Sequence, residues 1–131
     1  MALILIVDDQ IDAGRPLALL MKHLGHRGVC MTSGEEALAF MRKDRPDLMI
    51  LDVMMPGMDG MEVLRHVRND PATQRVPVVM FSAVSDPAFQ EHAKLKGAND
   101  YWVKASIQFE TVKHRVEQLL SQAKGAEEGT G

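Results

Sequence analysis

Five times along this chain a short, continuously apolar run gives way to a stretch whose apolar residues recur at helical spacing, and this alternation constrains the fold more than any other feature. The runs are LILIV (3–7), GVCM (28–31), LMIL (48–51), VPVVMF (76–81) and YWV (101–103). A strand with one face in water alternates apolar and polar residues. Runs without that alternation fit strands covered on both faces, as in parallel sheets. Pro77 lacks an N–H, so the fourth run is expected to pair from Val78 onward.

The intervening stretches carry helix signals. Leu17, Leu20, Met21 and Leu24 fall on one helical face, and Gly25 follows as a stop. Ser33 and Glu36 make a capping-box pattern ahead of Ala37, Leu38 and Met41. Asp59 can cap a helix that turns Met61, Leu64 and Val67 inward. Asp86 and Pro87 supply a cap and a first-turn proline, and Gly97 closes that helix. Val112, Val116, Leu119 and Leu120 form the apolar stripe of the last one. The order predicts an α/β fold, a single doubly wound five-stranded parallel sheet with five helices. Right-handed crossovers make the flavodoxin-like strand order 2-1-3-4-5 the expected one.

Composition narrows the class. The chain's 131 residues suffice for one core, and 46% hydrophobic with 25% charged residues is ordinary for a globular domain. A formal net charge of −3 gives no reason to expect nucleic-acid or membrane affinity. Cys30 is the only cysteine, so no internal disulfide is possible and a cytoplasmic setting is the simplest reading. The opening MALILIVDD has no basic region, and its apolar run stops at two aspartates, unlike a signal peptide or a membrane span. From Ser121 the chain turns polar and glycine-rich, which suggests a domain over 1–121 and a disordered tail over 122–131. No output module is recognisable after the last helix.

In open parallel sheets, ligands bind outside the carboxyl ends of the strands. Reading off those ends gives Asp8 and Asp9, Asp52, Ser82 and Lys104, while the edge strand adds only Thr32 and Ser33. Singly, each aspartate reads as a turn former or cap, the serine as a helix entry and the lysine as a solvated charge. Together, three carboxylates in one crevice repel one another and call for compensation. A divalent hard cation such as Mg²⁺ and a lysine provide it. Asp9 and Asp52 could ligate directly, with a backbone carbonyl just past Asp52, while Asp8 acts through water. A carboxylate is also a competent nucleophile toward phosphorus, a transfer that needs mainly positioning and charge neutralisation. Asp52, at a strand end before the MMPGMDG loop, is the candidate nucleophile.

The motifs VDD (7–9), LDVMMPGMDG (51–60), FSA (81–83) and GANDYWVK (97–104) are similar, in order and spacing, to the four signatures of bacterial two-component response-regulator receiver (CheY-like) domains. The resemblance spans residues 3–120. It implies a signalling phosphoacceptor rather than a classical enzyme, with Asp52 phosphorylated by a histidine kinase or histidine phosphotransfer protein. It also implies Mg²⁺ held by Asp8, Asp9, Asp52 and the Met54 carbonyl, and a phosphoryl group contacted by Ser82 and Lys104. Ser82 and Tyr101 fall at the family's switch positions, which alter the face of the fourth helix, fifth strand and fifth helix for a downstream protein effector. From the positions of Met54 and Val84, side chains in receivers influence an incoming water. Receivers usually carry proline after the lysine; Ala105 here predicts a trans bond and a shifted loop.

Other features read as structure. The ten methionines fit adaptable packing, with Met54, Met55 and Met58 in the site loop, and the five histidines lie apart without metal-ligand spacing. A haloacid-dehalogenase-type phosphatase needs a second acid two residues past its nucleophile, where Met54 stands. An FMN carrier needs a phosphate cradle where DDQID stands, and a scaffold-only pseudo-receiver is expected to have lost an acid or the lysine.

Overall fold

The computed structural model describes the backbone of residues 1–129 and the side chains of residues 1–124. Strands and helices alternate as β1 (Leu3–Val7), α1 (Ile11–His23), β2 (Arg27–Met31), α2 (Gly34–Met41), β3 (Leu48–Leu51), α3 (Gly60–Asn69), β4 (Val78–Ser82), α4 (Pro87–Leu95), β5 (Asp100–Val103) and α5 (Phe109–Gly129). The strands form one parallel sheet in the order β2-β1-β3-β4-β5, the expected doubly wound arrangement.

Successive strand residues point to opposite faces, and both faces are covered. On one, Leu5, Val7, Met49, Leu51, Val78 and Met80 meet Ala37 and Met41 of α2, Val63, Leu64 and Val67 of α3, and Ala93 of α4. On the other, Ile4, Ile6, Leu48, Ile50, Val79 and Phe81 meet Leu17 and Met21 of α1 and Val112, Val116 and Leu119 of α5. Burial on both sides is why these strands read as unbroken apolar runs. Pairing extends β2 and β5 one residue ahead of their apolar runs, to Arg27 opposite Leu3 and Asp100 opposite Val79. Pro77 stays outside β4 and supplies only its carbonyl, which accepts from the Met49 N–H at 2.9 Å.

The helix caps act through main-chain N–H groups. Ser33 Oγ accepts from Glu36, Asp59 Oδ1 from Glu62 and Asp86 Oδ1 from Ala88, at 3.1, 2.9 and 3.1 Å. Helix α5 continues beyond Ser121 to Gly129, over most of the stretch expected to be a disordered tail; Thr130 and Gly131 lie outside the described residues. Alanine, glutamine, lysine and glutamate in that stretch can propagate a helix already nucleated by packing.

One basic side chain locks the far end of α4. Arg68, near the end of α3, donates to the Gly97 carbonyl from Nε and Nη2, to the Gln74 and Val76 carbonyls from Nη1, and to Asn99 Oδ1 from Nη2, all within 2.7–3.0 Å. Gly97 has φ +115°, and a Cβ there would sit 2.9 Å from Arg68 Nε. The helix stop seen in the sequence is thus also the place where this guanidinium lies against the chain.

Candidate functional site

The carboxyl ends of β1, β3, β4 and β5 bring the predicted residues into one crevice. The ladder runs one residue past β1 and past β3: the Asp8 N–H donates to the Met31 carbonyl at 3.0 Å, and the Asp52 N–H to the Val7 carbonyl at 2.8 Å. Both acids are therefore held by the sheet rather than by a mobile loop. Asp8 and Asp52 are only 3% and 4% exposed, whereas Asp9 faces solvent. Their carboxylate oxygens, one from each residue, lie within 4.8 Å of one another, a hard-oxygen donor set that fits Mg²⁺.

Lys104 completes the cluster. Its Nζ lies 2.7 Å from Asp8 Oδ2, 3.6 Å from Asp52 Oδ2 and 5.3 Å from the centre of the Phe81 ring. The Lys104 N–H also donates to the Ser82 carbonyl at 2.8 Å, fixing its backbone to the end of β4. No peptide bond among the described residues is cis, as expected with Ala105 after the lysine, and Lys104 reaches both acids from that backbone.

Charge crowding leaves a mark on Asp52. Burial first, and then the negative charge of Asp8, push its carboxyl up to about 6; Lys104 and the Met54 N–H, 3.4 Å from Asp52 Oδ1, oppose this without cancelling it. Asp8 is better compensated locally, because its Oδ1 also accepts from the Gln10 N–H at 2.9 Å.

The backbone around Asp52 is tightly built. The Gly60 N–H donates to the Val53 carbonyl at 2.9 Å, and a Cβ on Gly60 would fall 2.1 Å from the Asp52 carbonyl oxygen. Only glycine lets α3 start this close to the acid. The second glycine of the PGMDG stretch thus has a steric reason.

Ser82 and Tyr101 both bond to the main chain of one residue, Val84. Ser82 is fully buried, and its Oγ accepts from the Val84 N–H at 3.0 Å. The Tyr101 ring is turned inward, packs edge-on against Phe89 at 6.2 Å, and its hydroxyl donates to the Val84 carbonyl at 2.7 Å. Val84 links the two through its main chain, a role that no side-chain pattern in the sequence could reveal. Phe81, beneath Lys104, was legible only as a core residue. The Met54 side chain is exposed at the crevice rim, while Met55 is buried.

A family model described as "Response regulator receiver domain" matches residues 4–117, from β1 well into α5. The chain belongs to the response-regulator receiver family. Among relatives of this receiver, the transcriptional regulatory protein AfsQ1 of Streptomyces coelicolor is 39% identical over 120 residues, covering 91% of this chain and 51% of AfsQ1. Protein PilH of Pseudomonas aeruginosa is 29% identical over 121 residues, covering 92% of this chain and 99% of PilH. The receiver thus spans about half the length of the first relative and nearly all of the second. Among solved structures, a response regulator described as putative from Chloroflexus aurantiacus superposes with a TM-score of 0.86 at 34% identity, covering 92% of this chain and 98% of that one. Among the described residues no helix is long and apolar enough to cross a membrane.

Proposed function

We propose that this receiver is a working phosphoacceptor in a two-component system. Asp52 takes a phosphoryl group from a histidine kinase or histidine phosphotransfer protein, and the face of α4, β5 and α5 carries the change to a protein effector in the cytoplasm. The observation that carries this reading is the crowding of three carboxylates within 4.8 Å of one another beside a single ammonium, with Asp52 the acid pushed up to about 6. A scaffold would gain nothing from so costly an arrangement.

Asp8, Asp9, Asp52 and the Met54 carbonyl would hold Mg²⁺, which when bound supplies charge neutralisation for phosphoryl oxygens. An Asp52 oxygen attacks phosphorus and the P–N bond of the donor's phosphohistidine, protonated on its other ring nitrogen, breaks, leaving an aspartyl phosphate and a neutral imidazole. Lys104, already 3.6 Å from Asp52 Oδ2, neutralises a phosphoryl oxygen, and Ser82 donates its hydroxyl to another. To turn that way Ser82 gives up or rearranges its bond from the Val84 N–H, and the Val84 carbonyl takes the Tyr101 hydroxyl with it. The signal then leaves through α4, which begins four residues after Ser82's neighbour Ala83 and buries only Ala93. We assign this function to residues 1–121, with 122–131 outside the working unit.

Intact mass before and after acetyl phosphate with Mg²⁺ tests the assignment. One added phosphoryl group is expected, lost with chelator and absent in Asp52→Asn; labelling that persists in that variant would sink it.

A further inference from the structure

The loops after β3 and β4 enclose a groove of about 620 Å³, lined by Val53, Met54, Met55, Met61, Val84 and Phe89 among others. Its sulfur atoms are not equivalent. Of the ten methionines, Met21, Met41, Met49, Met55 and Met80 are buried, and Met31, Met58 and Met61 are half-buried. Met1 and Met54 alone are exposed, at 94% and 65%. Met1 precedes β1, at the end of the sheet away from the carboxylates, so Met54 is the exposed thioether at the site. The one thiol competes poorly: Cys30 is half-buried, and burial raises its pKa, which keeps it protonated.

We propose that Met54 is an oxidation site, and that a hydroperoxide acting there shortens the life of a phosphoryl group on Asp52. The second half rests on the phosphoacceptor reading above. In the oxidation the sulfur lone pair attacks the outer oxygen of a hydroperoxide; an S–O bond forms, the O–O bond breaks, and the proton passes to the departing oxygen, which leaves as an alcohol or water. The sulfur gives up two electrons and the peroxide is reduced. The product is methionine sulfoxide, reversible by a thiol-driven reductase.

The consequence follows from position. Asp52 is 4% exposed, so hydrolytic water reaches it past the residues at the rim. Met54 is one of them: its N–H lies 3.4 Å from Asp52 Oδ1, and its side chain shares the groove with Val84 from the opposing loop. A thioether is a weak acceptor and leaves that water unheld; a sulfoxide oxygen is a strong, polar acceptor on the same flexible side chain. Holding one water near the phosphoryl group should speed its hydrolysis roughly two- to tenfold, the range that one hydrogen bond gives.

The full chain is treated with hydrogen peroxide, the oxidised residues are located by peptide mass spectrometry, and aspartyl phosphate decay is followed after labelling with acetyl phosphate. Met54 is expected to gain one oxygen well before any methionine other than Met1, with decay accelerated and then restored by methionine sulfoxide reductase. In Met54→Leu, whatever its own rate, peroxide should not change the decay even as Met1 is oxidised. Oxidation of Met54 no faster than that of the half-buried methionines, or equal acceleration in parent and Met54→Leu, overturns the proposal. A chain that takes up no phosphoryl group before peroxide is added overturns the phosphoacceptor reading, and the effect on lifetime with it.

Discussion

Folding works against the charge of Asp52. Its carboxyl, pushed up to about 6 from an ordinary 3.8, binds a proton more tightly in the folded than in the unfolded chain. That preference stabilises the protein below about pH 4, and the stabilisation is lost as pH rises through about 6. Ionised Asp52 therefore counts against the folded state at neutral pH in the absence of a divalent cation. In chelator, Asp52→Asn is therefore expected to be more stable than the parent at pH 7.5, with the gap narrowing toward pH 4.5; urea midpoints at the two pH values measure it. A gap that does not depend on pH would show that the acid is not strained. Gly60 faces the same acid from behind. Its missing Cβ would lie 2.1 Å from the Asp52 carbonyl oxygen, so Gly60→Ala must push α3 away from the end of β3. A loss of roughly 1–3 kcal/mol is expected from such overpacking, together with slower labelling by acetyl phosphate. Unchanged labelling would mean that the β3–α3 loop absorbs the methyl group without moving the carboxylate.

Helix α4 is the element best placed to move. It buries Ala93 alone, whereas α3 buries Gly60, Val63, Leu64 and Val67, and the chain after α4 is pinned where Arg68 grips Gly97 and Asn99. Its start follows the loop in which Val84 ties Ser82 to Tyr101. A helix anchored at one end and linked to the site at the other can swing with little loss of burial. Hydrogen exchange is expected to be faster in α4 than in α3, and beryllofluoride with Mg²⁺ should change protection most over residues 86–97 and around Tyr101. Changes confined to the β3–α3 loop would remove α4 from the output path. The asymmetry between the two helices is only partly written in the sequence: the thin apolar set of α4 is visible as Phe89, Ala93 and Leu95, but the Arg68 anchor is not. A lone arginine near a helix end reads as solvated until the turn before β5 is seen folded around it.

The molecule as a whole balances two acids with opposite pH signatures. Asp100 is also removed from water, which alone would raise its pKa, but Arg115, the Trp102 Nε1–H and the Tyr101 N–H more than reverse this and hold it below the ordinary range. Its contribution is present above the ordinary carboxylate range and lost as pH falls through its depressed pKa, opposite in sign to that of Asp52. Asp100→Asn should therefore lower the urea midpoint at pH 7 and converge on the parent in acid. A deficit that persists undiminished in acid would assign the effect to packing instead.

The kinds of element and their order were legible without a structure, because helix caps, stops and apolar periodicity are local properties of the chain. So was the fold: five apolar runs covered on both faces, joined through helices, leave few arrangements open, and the carboxyl ends of the strands then name Asp8, Asp9, Asp52, Ser82 and Lys104. What local pattern cannot contain is distance between residues far apart in the chain. The 2.7 Å contact of Lys104 with Asp8 spans 96 positions, and the rise of the Asp52 pKa comes from burial and from a charge on another strand. Val84 acts through its main-chain N–H and carbonyl, which nearly every residue type offers, and Arg68 through carbonyls that are placed only when two loops fold together. The helical course of residues 122–129 belongs with these: polarity and glycine suggested disorder, but a helix nucleated by Val112, Val116 and Leu119 against the sheet extends into residues that would not start one alone.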